Sequence, residues 1–380
     1  MKIGIISDTT YRSCTPDYEH NLSFYGSEPA HAIIAKGFVE RTNHTVHFFA
    51  PHGSEPIGTF HPLACFHGGY AENEILEEVS LEGLKTNYFI DEGFDFVLDY
   101  TAIARTVEEL KNYHGFNNYG VFRNGYNGYV YPRLRLKDRH YIVPSIQNKD
   151  IFEKHGFTNT TAIYYGIPDF YSPSREFDTT EYHDFFAPHN LITEQYFLYP
   201  HRPTEEKGSF KVLELAQTFP KENFVYMVSN NPVQQHKDAI KEIKKIVVEK
   251  GLQNNVKFVE LPLTNRHHYF KRELMRHAKA VLSPFNPTIY MEGFGLANGE
   301  AVACGTPILI TDSESSRELW IDEKDGLVIP YDDRLWGFKQ AIRNFNTYTF
   351  NPENRYTVER CIKAYEEFIS NTQVQTQPRD

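Results

Sequence analysis

Two glutamates eight positions apart flank a glycine-rich turn in the second half of the chain. Glu292 precedes Gly293 and Gly295, and Glu300 falls about one to two turns into the helix expected to follow. Glycine lets backbone amides approach a ligand closely. A helix N-terminus offers free N–H groups and a positive dipole end, both suited to phosphate. The pattern therefore favours a phosphate-containing ligand, with one carboxylate facing each end of it; the alternative is a turn that serves packing only.

A pair of cations follows a short apolar segment in the middle of the chain. Arg202 and Lys207 come after residues 196–199, which are typical of a buried strand, and before a helix predicted over residues 208–219. Two cations beside a helix N-terminus stabilise negative charge on a bound ligand. The alternative is that both residues are ordinary surface charges near a helix start.

Taken together, these segments resemble the retaining GT-B glycosyltransferases of family 4, the glycosyl transferases group 1. The resemblance rests on E-x7-E within EGFGL and EAVACGTP, and on YPHRPTEEKG, which is similar to the family's strand–GR–xxEKG element. It spans about residues 1–335 and is strongest from residue 196 onward. One departure is Pro200-His201, which stands where the family usually has Gly before Arg202.

The resemblance implies roles for four side chains. Arg202 and Lys207 would contact the diphosphate of a nucleotide-sugar donor. Glu292 would hydrogen-bond hydroxyls of the transferred sugar, and Glu300 would bind the ribose hydroxyls, since a carboxylate accepts two such donors well. Glu292, Arg202 and Lys207 are therefore the predicted catalytic residues.

Further donor contacts come from the backbone in the same comparison. The amides of Phe294, Gly295 and Leu296 would hold the distal phosphate. Gly26, in the segment YGSE, would let the chain pass close to the donor phosphate, and Glu28 would open the next helix. In the N-terminal half, Asp99-Tyr100-Thr101 and Asn124-Gly125 stand where relatives often carry a histidine.

The activity that the resemblance implies is transfer of a sugar, most often from a UDP-sugar, to an acceptor hydroxyl with retention at the anomeric carbon. The acceptor would be a carbohydrate, a lipid-linked molecule or a protein. Such enzymes chiefly position substrates and stabilise charge. No DxD-type dyad is apparent in the donor region, so neither a metal nor another cofactor is expected. Two alternatives stay open: a GT-B-shaped sugar-nucleotide epimerase or phosphorylase, and a non-catalytic relative that binds glycan or nucleotide.

Strand and helix patterns alternate along the whole chain, which predicts parallel α/β sheets covered on both faces. In the first half, strands are predicted at residues 2–7, 44–50, 94–100, 120–123, 141–144 and 162–166, and helices at 28–40, 72–87 and 104–113. In the second half, strands are predicted at 196–199, 224–229, 256–261, 280–284, 307–311 and 326–330, and helices at 208–219, 236–250, 266–278, 296–304 and 358–370.

The predicted architecture is GT-B, with two Rossmann-like domains facing a deep interdomain cleft. Residues 1–170 would form an acceptor-binding domain and 195–345 a nucleotide-sugar-binding domain. The irregular, proline-containing stretch 171–194 would be the linker. Residues 346–380 would carry a helix back to the N-terminal domain and end in a polar tail.

Composition excludes several other classes of protein. The chain has 380 residues, 40% hydrophobic and 15% aromatic, so whole-chain disorder is excluded. A net charge of −11 argues against a broad nucleic-acid surface. Four cysteines without a CxxC pair fit neither a zinc module nor a disulfide framework. No apolar run approaches ~18 residues, so we expect a soluble, cytoplasmic protein with at most peripheral membrane contact.

Two basic clusters receive plainer interpretations. Arg266, His267, His268 and His277 could suggest metal ligands, but we predict a solvated, basic helix face. Residues 133–139 form a basic run near several tyrosines, for which we predict a solvated loop.

Overall fold

The protein is described here by a computed structural model that covers residues 1–6, 28–51, 58–64, 79–80, 93–99, 113–116, 140–173, 179–189, 191, 195–229, 234–261, 267–290 and 292–376. The chain divides into two compact units. The first comprises Met1–Gly166 together with Tyr356–Asp380, and the second comprises Ile167–Arg355.

The unit boundaries differ from the predicted domain limits at 170 and 345. Residues after Gly166 belong to the second unit because Phe170 lies against the Arg272 guanidinium, 4.5 Å from the ring centroid. The predicted linker, 171–194, contains a helix, Thr179–Phe186, and the Phe185 ring of that helix stacks on a ring of the second unit. Near the other boundary, Arg355 pairs with Asp325 and so stays in the second unit.

The first unit is built on an eight-stranded sheet in which every described strand pair is parallel. Ile3 and Ile5 of the first strand and Phe48 and Phe49 of the second are fully buried, as expected for a parallel sheet covered on both faces. The spatial order is β4-β3-β2-β1-β5-β6-β7-β8, with β1 Lys2–Ile6, β2 Thr45–Pro51, β3 Thr59–Ala64, β4 Val79–Ser80, β5 Phe96–Asp99, β6 Tyr113–Phe116, β7 Tyr141–Val143 and β8 Thr160–Ala162.

Three helices of the first unit are described: α1 Glu28–Arg41, α2 Ile146–Lys154 and, from the end of the chain, α10 Val358–Thr376. The Ser145 hydroxyl caps α2 by accepting from the Asn148 N–H. Helix α10 lies directly on α1, where the absence of a side chain at Gly37 makes room for it. A Cβ at Gly37 would stand 2.7 Å from the Ile362 side chain.

The prediction for the first half of the chain is partly wrong. Val79–Ser80 pair with β3 as a strand, inside the helix predicted over 72–87, and Tyr113 begins β6 rather than ending a helix. Strand β3 was not predicted; it contains Pro62, which has no N–H to donate to a neighbouring strand. Strand β8, Thr160–Ala162, pairs with β7 and therefore ends at the residue where the predicted strand 162–166 begins. The predicted strand 120–123 lies outside the described residues.

The second unit is a doubly wound, six-stranded parallel sheet. Its order is β11-β10-β9-β12-β13-β14, so the chain runs outward from β9 in one direction and then restarts at β12 on the other side. The strands are β9 Tyr196–Tyr199, β10 Asn223–Ser229, β11 Val256–Leu261, β12 Ala278–Ser283, β13 Ile308–Thr311 and β14 Gly326–Ile329.

Helices connect these strands, and each strand predicted in the second half is confirmed to within two residues. Three short helices were not predicted: Thr179–Phe186 (α3), Glu314–Leu319 (α8) and Trp336–Arg343 (α9). The helices of this unit are α3 Thr179–Phe186, α4 Ser209–Thr218, α5 Gln234–Glu249, α6 His267–Arg276, α7 Leu296–Ala303, α8 Glu314–Leu319 and α9 Trp336–Arg343. None of the helices in the described part of the chain has the length and apolar character needed to span a bilayer.

Candidate functional site

The point where the strand order of the second unit reverses brings two loops together. One follows β9 and the other follows β12, and these two strands are neighbours in the sheet. Ligands of open α/β sheets bind beyond the carboxyl ends of the strands at such a switch point. The Asn286 N–H donates to the Glu206 carbonyl at 3.0 Å, joining the two loops. Gly208 makes their contact possible, because a Cβ there would stand 2.1 Å from the Pro284 oxygen.

A buried ion pair forms across these loops. Lys207 Nζ lies 2.5 Å from Glu292 Oε2, and each side chain is 9% exposed. The ammonium also lies 4.1 Å from the centroid of the Tyr290 ring, whose hydroxyl donates to Glu292 Oε1 at 3.4 Å. Burial disfavours the charged lysine, but Glu292 and Tyr290 more than offset it, so the pKa of Lys207 is raised. Lys207 therefore stays cationic.

The glycine turn fixes Glu292 relative to helix α7. Gly295, the N-cap of that helix, has φ +70°, a conformation that favours glycine. A Cβ at Gly295 would stand 2.7 Å from Asn298 Nδ2 and 3.2 Å from Glu292 Cγ. The Ser315 hydroxyl donates to the Glu292 carbonyl. The carboxylate is thus held beside the N-terminus of α7, where Leu296 begins the helix and Phe294 packs edge-on against Trp320.

A second buried ion pair involves the other glutamate. Glu300 Oε2, in α7, lies 2.5 Å from Lys271 Nζ. The Glu300 side chain is 8% exposed and the Lys271 side chain is 14% exposed. The Tyr171 hydroxyl lies close to the Glu300 carboxylate and 3.0 Å from His268 Nδ1. Burial, together with the Glu300 charge, raises the pKa of Tyr171 well above its usual value. Sequence reasoning missed Lys271 and Tyr171, because nothing in their local sequence distinguishes them from other residues of their segments.

The histidine-rich helix α6 is not solvated, so that prediction is wrong. His267 and His268 are each only 2% exposed. Arg272 and Glu273 are also buried, and Arg272 Nε donates to Glu273 Oε1 at 2.7 Å. The residues after Gly166 cover this helix, through Phe170 against Arg272 and through Tyr171 at His268. Within the described ranges, no three His, Cys, Asp or Glu side chains gather as metal ligands would.

The loop after β9 carries a buried histidine beside the predicted cations. His201 is 8% exposed, and its ring lies edge-on to Tyr199 with 5.3 Å between centroids. Burial and the charges of Lys207, Lys271 and Arg202 lower the pKa of His201 well below its usual value. Arg202 itself is exposed, and its carbonyl accepts from the Tyr199 hydroxyl at 2.8 Å.

The remaining predicted residues divide into two groups. The structure brings Lys207, Glu292 and Gly295 together, and Glu300 lies in the neighbouring ion pair. Glu28 begins α1, in the first unit. Gly26, residues 100–101 and residues 124–125 lie outside the described residues, so their predicted roles stay predictions.

Comparison with known proteins gives one family match over part of the chain and a fold match over nearly all of it. Residues 183–345 match the family model "Glycosyl transferases group 1". At the sequence level, no curated protein matches the chain with significance.

Solved structures match over almost the whole chain. A sucrose-phosphate synthase from Thermosynechococcus elongatus is 19% identical with a TM-score of 0.67, covering 98% of this chain and 97% of its own. HepE from Anabaena, in complex with UDP and glucose, is 16% identical with a TM-score of 0.68, covering 98% and 100%. A glycosyltransferase from Rickettsia africae is 12% identical with a TM-score of 0.68, covering 99% of each chain. The chain therefore has the GT-B fold.

Proposed function

We propose that this protein transfers a sugar from a nucleotide-sugar to an acceptor hydroxyl, because residues 183–345 match the family model of the glycosyl transferases group 1. The observation that carries the proposal is the buried Lys207–Glu292 pair beside the N-terminus of α7. A UDP-sugar is the proposed donor. Support for this choice comes from HepE, which has the same fold and has been crystallised with UDP and with UDP-glucose.

The proposed chemistry starts with exchange of ion-pair partners. The donor diphosphate competes with Glu292 for Lys207, and the exposed Arg202 side chain supplies a second cation. Glu292 is then available to accept hydrogen bonds from hydroxyls of the sugar. As the bond from the anomeric carbon to the phosphate oxygen breaks, its electron pair moves to the diphosphate. Lys207, Arg202 and the amides of 294–296 stabilise that charge.

Glu300 is the proposed ligand of the ribose hydroxyls. Lys271 and Tyr171 fix its carboxylate while leaving acceptor capacity for a diol, since an ionised carboxylate has about four lone-pair sites.

We further propose that the reaction retains configuration and needs no metal. With two cations and a helix N-terminus at the diphosphate, leaving-group charge is neutralised by the protein itself. The departing phosphate then takes the proton of the incoming hydroxyl on the same face of the sugar. The acceptor, a carbohydrate, a lipid-linked molecule or a protein, is proposed to bind the first unit.

Nucleotide binding is the first test of this proposal. Thermal unfolding is followed with UDP, GDP, ADP and CMP, for wild type and for an Arg202→Ala/Lys207→Ala variant. At ~100 times the dissociation constant a ligand adds about 2.7 kcal/mol to stability. We expect a shift with UDP that the double variant loses. The matched control, Lys241→Ala/Lys245→Ala, removes two lysines exposed on α5 and should keep the shift. No shift with any nucleotide would contradict the proposal.

Turnover separates the transferase from the two alternatives. UDP-sugars are incubated with acceptor panels, with and without EDTA, and the product anomer is read by NMR. A transferase releases UDP and forms a glycoside, with the donor's anomeric configuration if it is retaining. An epimerase returns an altered sugar still attached to nucleotide, and a phosphorylase requires phosphate. Glu292→Gln should bind UDP without turnover, whereas wild type that binds UDP but never turns over would favour a non-catalytic relative.

A further inference from the structure

One buried polar group at the switch point has no role in the chemistry proposed above. It is the His201 imidazole, at the position where the related family usually has glycine. The ring lies near the backbone of Leu282 in β12, and its Nε2 is buried with no hydrogen-bond partner among the described residues. A buried polar atom without a partner is uncommon in folded proteins and calls for an explanation.

The charges around this ring are unusual for a histidine. Lys207, Lys271 and Arg202 act on it together, and with burial they keep the imidazole neutral in the absence of a ligand. Two carboxylates could stabilise an imidazolium, but both already form ion pairs. Glu292 pairs with Lys207, and Glu300 pairs with Lys271. The local charge is therefore positive, and an anion is the ligand that it favours.

We propose that His201 is a phosphate-binding residue whose Nε2 takes up one proton from solvent when a nucleoside diphosphate enters, and then donates a hydrogen bond to a phosphate oxygen. This inference rests on the proposed function, since it deepens the account of the same donor site. The diphosphate brings several negative charges against Lys207 and Arg202, which reverses the electrostatic balance at the ring. The proton returns to solvent when the diphosphate leaves.

During transfer the imidazolium adds to the stabilisation of the leaving group. The electron pair of the broken sugar–phosphate bond goes to the diphosphate, and a charged N–H donor binds an anionic oxygen more strongly than a neutral donor does. A glycine at this position supplies no such proton, so proton uptake would distinguish this chain from relatives that carry glycine there.

Calorimetry of UDP binding to the full chain tests the proposal. Titrations are run at about pH 8, where free histidine is neutral, in buffers that differ in ionisation enthalpy. The slope of the observed enthalpy against that ionisation enthalpy gives the number of protons taken up. We expect a net uptake of up to one proton for wild type and close to none for His201→Gln and His201→Asn, whose UDP affinity should be reduced about tenfold or more. The control is His236→Gln, another buried histidine whose pKa is lowered by burial and by Arg202. It should keep the uptake.

The outcomes separate this inference from the proposed function. If wild type binds UDP without proton uptake, His201 does not bind phosphate as an imidazolium, and the transferase proposal is unaffected. That measurement needs no variant. If uptake persists in both folded His201 variants, or is lost only in His236→Gln, the proton goes elsewhere and the inference is overturned. If wild type fails to bind UDP, GDP, ADP or CMP at all, the donor-site proposal has failed, and this inference with it.

Discussion

Each of the two site glutamates pairs with its own lysine. Lys207 pairs with Glu292 and Lys271 with Glu300, both at 2.5 Å. Removing one member of a buried pair leaves the other charge without compensation, which is strongly destabilising. The lysines therefore have two effects that activity alone does not separate: they supply positive charge for a ligand, and they keep the carboxylates folded into place.

Lys271→Met separates those two effects at the second pair. The substitution leaves the Glu300 carboxylate buried with only the Tyr171 hydroxyl, so we expect a loss of about 3–5 kcal/mol in the free energy of unfolding. Adding Glu300→Gln should recover most of this loss, since no uncompensated charge remains. Urea denaturation of wild type, Lys271→Met, Glu300→Gln and the double variant gives the four free energies of unfolding of a double-mutant cycle. A loss in the double variant equal to the sum of the two single losses would mean that the pair has no energetic coupling.

At the scale of elements, two loops must approach closely for the Lys207–Glu292 pair to form. Gly208 precedes α4 with φ +80°, and its Cα faces the Pro284 carbonyl of the loop after β12. Any side chain at this position would push the two loops apart. The site thus depends on one backbone contact between neighbouring connections as well as on its charged groups.

Gly208→Ala tests this contact, and the chain offers a matched control. Gly251, after α5, also has a positive φ, +65°, but a Cβ there would meet nothing within 4 Å. Both substitutions should cost about 1–2 kcal/mol for the left-handed conformation. Gly208→Ala should lose more stability and should also weaken UDP binding, because Lys207 and Glu292 are displaced. Equal losses in unfolding free energy and unchanged UDP affinity would show that the loops tolerate separation.

The elements of the second unit could be predicted because each strand is a continuous apolar run with a clear boundary. Strands β9 and β11 agree with prediction to the residue. The burial of α6 could not be predicted, since its sequence HHYFKRELMR is mostly polar. It is buried through partners that are distant in sequence, among them Phe170, Tyr171 and Glu300. The Glu pair could be found from its spacing, whereas Lys271 became apparent only from three-dimensional proximity.

At the scale of the whole molecule, the chain leaves the first unit at Gly166 and returns to it at Tyr356. The returning helix α10 completes the core of the first unit rather than lying on its surface. Its Phe368 ring packs edge-on against Phe96 of β5, and Tyr365 packs against Phe38 of α1. The first unit is therefore assembled from both ends of the sequence, while the second unit is one continuous segment.

Gly37→Leu should loosen the first unit selectively. A Cβ at Gly37 would already stand 2.7 Å from Ile362, so a leucine forces α10 away from α1, and overpacking of this kind costs typically about 1–3 kcal/mol. We expect hydrogen exchange to accelerate in α1, α10 and β1, with exchange in β9–β12 and the affinity for UDP unchanged. Val39→Ala is the control, since Val39 lies on the same helix and is exposed. Equal acceleration across β9–β12 would show that the two units share one unfolding reaction, and that the chain's binding segment depends on its terminal helix for stability.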